Sequence, residues 1–175
     1  QRPPARVPRL AVASSFATVD AITESGHPRY AALFGELRRL GWEEGRNLQV
    51  ERWTFLDRDQ AEYDGIGRQI VATKPDVIFL NGGNPGAAVK AATATIPIVF
   101  VAPDPLGSGL GQSLARPGGN ATGFASTTGP EFYQKMLQLL HEAAPQARRI
   151  AYFADPLSSD DRASALDPAA RKLGL

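Results

Sequence analysis

Three short apolar runs constrain this chain more than any other feature: Arg9–Ala13 (RLAVA), Val77–Leu80 (VIFL) and Ile96–Val101 (IPIVFV). The latter two are apolar at nearly every position rather than at alternate ones, the pattern of a strand covered on both faces. Strands of that kind belong to parallel sheets, whose neighbours must be joined by crossovers, usually helical and right-handed. The intervening segments supply them. From Pro28 the residues Tyr30, Leu33, Phe34, Leu37 and Leu40 recur at helical spacing up to Gly41, which predicts a helix closed by a glycine. A second helix is predicted over Gln60–Thr73, with Tyr63, Ile66 and Ile70 on one face. A third is predicted over Pro85–Thr93, with Asn84 as N-cap and Pro85 as its first residue.

Weaker signals extend the alternation. Asn47–Phe55 (NLQVERWTF) alternates imperfectly, but its β-branched and aromatic content favours a strand. After the third apolar run come a Gly-rich stretch, Leu106–Ala115, read as helical, a turn at Arg116–Asn120 and a weak strand, Ala121–Ser126. A long helix is predicted from near Pro130, carrying Phe132, Tyr133, Met136, Leu137 and Leu140; then a strand at Arg149–Ala154 (RIAYFA) and a last helix at Asp161–Leu173. Residues 1–8 are proline-rich and aperiodic, an irregular lead-in. The expected fold class is α/β: a Rossmann-like, three-layer αβα arrangement around a mostly parallel sheet.

A length of 175 residues suits one domain, or one domain and a fragment, and 43% hydrophobic against 21% charged residues is a globular balance, which excludes wholesale disorder. Lys and Arg number 19 against 18 for Asp and Glu, and the basic pairs Arg38-Arg39 and Arg148-Arg149 lie far apart, so no nucleic-acid surface is expected. The absence of cysteine, with His27 and His141 as the only histidines, excludes a disulfide framework, a zinc-thiolate centre and a cysteine nucleophile. No metal or cofactor is expected. No apolar run approaches the ~18 residues of a membrane span. The lead-in lacks an apolar core, so a signal peptide is expected to have been removed already.

In doubly wound sheets ligands bind beyond the carboxyl ends of the strands. That rule selects the loops Ser14-Ser15-Phe16, Asn81–Gly86, Ala102–Gly107, Ser126–Thr128 and Asp155. Within Asn81-Gly82-Gly83-Asn84-Pro85-Gly86, the glycines admit a ligand to the backbone, and N–H groups near Gly86 and Ala87 suit an anion; alternatively the glycines only make a tight turn. No Gly-Lys-Ser/Thr follows, which excludes a P-loop, and Gly107-Ser108-Gly109-Leu110-Gly111 lacks the spacing of a dinucleotide fingerprint. Asp104, between two prolines, is either a cleft carboxylate for an ammonium group or the cap of the next turn. Ser14 and Ser15 either bind ligand or close a turn. No Gly-x-Ser-x-Gly or triad spacing is present, and Asp104 is the single candidate for a general base.

The strings LFGELRRLGWEEGRNLQVERW, KPDVIFLNGG, ATIPIVFVAPDPLGSGLGQSLARPGGNATGF and FYQKMLQLLHEAAP together resemble the ABC-transporter substrate-binding proteins of the tryptophan/tyrosine-transport type. The likeness runs from about Arg9 to Ala154, its most specific piece being SLARPGGNATG with the upstream TIPIVFVAPDP. The resemblance implies a type I periplasmic-binding-protein fold, two Rossmann-like lobes about a ligand cleft. It also implies an exported, periplasmic or otherwise extracytoplasmic, non-enzymatic protein that hands a small molecule such as an amino acid to an inner-membrane permease.

By position, the loops matching that family's cleft are Ser14, Ser15, Gly82, Gly83, Asn84, Asp104, Ser126 and Thr127, the set the strand-end rule selects, to which the helix-terminus reading adds Gly86. Asn84 stands where relatives usually carry threonine, and Pro103 where a glycine-like residue is common. Members of the family are considerably longer. The expected domains are therefore residues 9–126 as a first lobe and 127–175 as the crossover and start of a truncated second lobe. The face formed by Phe132, Met136, Leu137 and Leu140 is expected to dock on the first lobe or on a second chain, as a homodimer. The competing readings are a cytoplasmic α/β enzyme and a small-molecule sensor using the same loops. All of them require the strands before Ser14, Asn81, Pro103 and Ser126 to run in one direction.

Overall fold

The computed structural model describes residues 6–174 apart from Asn84, Leu114, Pro117, 127–129 and 153–160. Its strands are β1 (Arg9–Ser14), β2 (Gln49–Thr54), β3 (Val77–Asn81), β4 (Ile98–Ala102) and β5 (Ala121–Ala125), in one sheet of order β2-β1-β3-β4-β5. Every neighbouring pair is parallel. The helices α1 (Pro28–Arg39), α2 (Gln60–Ala72) and α3 (Gly86–Ala92) form the crossovers, and α4 (Pro130–Ala143) and α5 (Asp161–Leu173) follow the sheet. The chain leaves β1 toward β2 on one side and returns to β3 on the other, so the crevice between β1 and β3 is a topological switch point.

The period-two alternation of β1 divides the core. Leu10 and Val12 meet Tyr30 and Phe34 of α1 on one face of the sheet. Ala11 and Ala13, with Ile78, Leu80, Ile98 and Phe100, meet Tyr63 and Ile70 of α2 and Ala88 and Val89 of α3 on the other. Helices on both faces make the expected three-layer α/β architecture.

Local chemistry explains the helix ends. At the end of α1, Gly41 has φ +88° and its N–H donates to the Arg38 carbonyl, while Trp42 N–H reaches the Leu37 carbonyl at 2.8 Å, a Schellman closure. Asp59 and Glu62 form a reciprocal capping box at the start of α2. His27 caps α1 by accepting from the Arg29 N–H through Nδ1.

Three expectations change. The described residues of Leu106–Ala115 form turns and bends rather than a helix: Ser108 N–H reaches the Asp104 carbonyl, but Gly109 has φ +70° and ends the winding. Pro85 is not the first residue of α3 but the half-helical residue before it, with φ −81° and ψ 3°. Of the predicted strand Arg149–Ala154, residues 149–152 have no regular structure and 153–154 lie outside the described residues; Ile150 and Tyr152 are exposed. A strand needs a neighbour for its backbone groups, and these residues have none among the described ones. No helix among the described residues is long and apolar enough to cross a membrane.

The lead-in is tied to the amino edge of the sheet through Asp76. Its carboxylate accepts the Arg9 N–H at 2.8 Å and pairs with Arg6, and Arg9 pairs in turn with Glu51. The Arg9 N–H first, with the Arg6 side chain and the two guanidinium charges adding to it, holds the Asp76 carboxyl below its ordinary value. A depressed folded-state pKa stabilises the fold above the unfolded value, about 4, and that contribution is lost as pH falls through the folded value. Asp76→Asn is therefore expected to flatten the acid limb of the stability curve below about pH 4, measured by thermal melts across pH. An acid limb identical to wild type would show that Asp76 does not govern it.

Candidate functional site

Parallel pairing brings the selected loops to one edge. In register Ser14 lies opposite Asn81, Asn81 opposite Val101 and Ala102 opposite Ala125, and Ser126 N–H donates to the Ala102 carbonyl at 2.7 Å. The ends of β1, β3, β4 and β5 thus line a single rim, and their loops interlock. Ser15 N–H donates to the Asn81 carbonyl at 3.0 Å and Gly82 N–H to the Val101 carbonyl at 2.8 Å.

Gly82 is required by its surroundings. Its φ is +119°, and a Cβ there would lie 1.8 Å from Ser15 Oγ, so the Ser15 hydroxyl sits over the glycine where the first two loops touch. A Cβ on Gly83 would lie 3.4 Å from Ser108 Cβ and 3.7 Å from Pro103 Cδ, which brings in the loop after β4. On Gly86 it would meet Leu110 Cγ at 2.6 Å. Close approach accounts for Gly82 and Gly86, whereas a Cβ on Gly83 would make only ordinary van der Waals contact.

The two serines separate in role. Ser14 is fully buried, and its hydroxyl accepts from the N–H groups of Phe16 and Ala17 at 3.2 and 3.0 Å, closing the turn. Ser15 is half-buried at the rim. Asp104 Oδ1 accepts from Leu106 and Gly107 N–H at 3.1 and 2.9 Å, while Oδ2 makes no hydrogen bond among the described residues. The carboxylate thus caps its turn with one oxygen. Gly86 N–H is taken by the Gly83 carbonyl at 2.8 Å, so the expected anion donor at Gly86 is engaged. Ser126 is exposed at the end of β5; Asn84, Thr127 and Asp155 lie outside the described residues.

Beneath the rim are polar groups that helical periodicity hides. Tyr30 reads from sequence as an apolar-face residue of α1, yet its hydroxyl is buried beside Ser14 and Asn81; burial raises its pKa, partly offset by those two side chains and by the Arg29 charge. Neither Tyr30 Oη nor Asn81 Oδ1 completes a hydrogen bond within the described residues. Phe16, next to Ser15, packs edge-on against His27 with centroids 5.3 Å apart and stacks on Tyr30 at 6.1 Å. The available signal was an aromatic residue directly after a serine pair at a strand end. No cluster of residues able to hold a metal ion occurs among the described residues.

A parallel doubly wound sheet with a switch point at the carboxyl ends of its strands is an architecture in which small ligands are commonly held. The chain belongs to the ABC transporter substrate-binding protein family, whose model matches residues 24–175. Among curated relatives, a tyrosine-binding protein of Clostridioides difficile (strain R20291) is 30% identical over 115 residues, 65% of this chain and 32% of that protein. A conserved domain protein of Vibrio cholerae O1 biovar El Tor shares the fold with a TM-score of 0.78 and 28% identity, over 97% of this chain and 55% of that one. The ABC domain from Streptococcus pneumonia, solved in complex with L-Trp, matches with a TM-score of 0.71 and 22% identity over the same shares, a likeness of fold. The chain thus spans about a third of the curated relative and about half of these solved chains.

Proposed function

We propose that this chain is the ligand-binding lobe of an extracytoplasmic solute-binding component of an ABC transporter, holding a small molecule, an amino acid, at the rim for delivery to an inner-membrane permease. The observation that carries this reading is the convergence of the loops after β1, β3 and β4, with Ser15 over Gly82 and Ser108 beside Gly83. The relatives described as tyrosine-binding and as bound to L-Trp make an aromatic amino acid the first candidate. In this reading Ser15, Gly82, Gly83, Asp104 and Ser126 contact the ligand, with Asn84, Gly86 and Thr127 beside them, and Ser14 sets the shape of the first loop. The protein binds without turnover.

Residues 9–126 form the first lobe in this reading, and α4 and α5 begin a second. The α4 face supports that division: Leu137 is buried, but Phe132 and Met136 remain 47% and 52% exposed. A closing lobe or a second copy of the chain is the expected cover, since affinity in two-lobed binders comes from enclosing the ligand.

Calorimetry against free amino acids tests the site. Asp104→Asn keeps an acceptor for Leu106 and Gly107 N–H but removes the charge, so affinity for the ammonium-bearing ligand should fall about tenfold with little change in melting temperature. Asp104→Ala should also lose about 1 kcal/mol of stability with the cap. Unchanged affinity in Asp104→Asn would remove the carboxylate from the site, and no binding of any amino acid by the wild-type chain would overturn the function.

A further inference from the structure

Resting on the amino-acid reading above, we propose that Arg29 is the residue that binds the ligand carboxylate. The Arg29 guanidinium lies over the Phe16 ring, Cζ 5.0 Å from its centroid, and Phe16 directly follows Ser15 at the rim. It is exposed and makes no ion pair or hydrogen bond among the described residues, although its backbone N–H is held by His27 Nδ1 at 3.3 Å. The first turn of α1 contains no acidic residue, so neither a neighbouring carboxylate nor the positive helix terminus offsets the charge.

Arg52 shows what a structural arginine looks like in the same fold. It also stacks on a ring, Cζ 5.5 Å from the Phe34 centroid, but its Nε donates to the Ile22 carbonyl at 2.7 Å and its two terminal nitrogens grip Glu44 at 2.7 and 2.5 Å. Each of its three nitrogens donates. Arg29 has a like aromatic seat and, among the described residues, none of the partners. A ring seat holds the guanidinium plane while leaving its N–H edge open, and that edge matches a carboxylate with two parallel hydrogen bonds. With Gly86 N–H engaged by Gly83, Arg29 is the cationic group that the rim offers to an anion. Asp104, on the loop after β4, then faces the ammonium end.

The test compares wild type, Arg29→Gln and Arg29→Lys by calorimetry with L-tyrosine, tyramine, which lacks the carboxylate, and 4-hydroxyphenylacetate, which lacks the amine. Melting temperatures should be unchanged, since Arg29 is exposed. Arg29→Gln should weaken L-tyrosine binding about tenfold or more, leave tyramine binding as in wild type, and be only partly rescued by lysine. Equal losses for L-tyrosine and tyramine, or no loss for L-tyrosine, would overturn the assignment. If 4-hydroxyphenylacetate binds as tightly as L-tyrosine and shows the same loss in Arg29→Gln, Arg29 stands and the amino-acid reading falls. Wild type binding none of the three overturns both.

Discussion

Gly82→Ala is expected to destabilise the chain by about 2–5 kcal/mol, combining a backbone conformation unsuited to L-residues with a steric clash. The residue has φ +119°, and the added Cβ would lie 1.8 Å from Ser15 Oγ and 2.6 Å from Ser15 Cβ. Rotating the serine hydroxyl removes the first contact but not the second, and Ser15 cannot retreat because its N–H is bonded to the Asn81 carbonyl at 3.0 Å. Ser15→Gly in the Gly82→Ala background should recover the steric part and leave the backbone part. Denaturant titration of the single and double variants measures both. A loss below about 1 kcal/mol in Gly82→Ala would show that the two loops are not in contact.

Leu110→Ala should cost about 2–5 kcal/mol, because the side chain is fully buried and leaves a cavity. Its partner is a glycine: a Cβ on Gly86 would meet Leu110 Cγ at 2.6 Å and Cδ1 at 2.8 Å. Gly86→Ala alone should therefore overpack the start of α3 by about 1–3 kcal/mol. Together the two changes should cost less than their sum by about 1 kcal/mol or more, since the new methyl enters the space the leucine vacates. Strict additivity would separate the loop after β4 from α3, and with it the geometry that sets Ser108 and Pro103 beside Gly83.

The strands were largely readable in the chain because each is a local pattern. The Val77–Leu80 run reappears in β3 lengthened by Asn81, and RLAVA reappears in β1 lengthened by Ser14. Gly41 closing α1 was equally local, since only its own φ and the preceding carbonyls are involved. The misses have different causes. Leu106–Ala115 has apolar residues at tolerable spacing, but its glycines favour turns over continued winding. RIAYFA has the composition of a strand and no adjoining strand to pair with among the described residues. Asp59 and Glu62 carry a capping-box signature, an acid followed three residues later by glutamate, that is legible in the sequence alone.

For the site, the strand-end rule located the loops but not the roles within them. Ser14 and Ser15 are chemically identical and adjacent, yet one hydroxyl turns inward to the Phe16 and Ala17 N–H groups and the other lies over Gly82. Asp104 was read both as a cap and as a cleft carboxylate, and the hydrogen bonds from Leu106 and Gly107 occupy one of its oxygens. Tyr30 and Arg29 gave no site signal, and Phe16 only its place in the first selected loop, because their relation depends on a long loop folding back to set α1 against the end of β1.

Residue order along the chain was enough to mark the segments that become β1–β5 and α1–α5 and the loops that follow the strands, since periodicity and turn preference act within a few residues. The strand order β2-β1-β3-β4-β5, the pairing of Ser15 with Gly82 and the seating of a guanidinium on Phe16 come from contacts between segments apart in the chain. Which groups remain free for a ligand is a property of packing: a polar atom's availability depends on whether a distant neighbour has already claimed it.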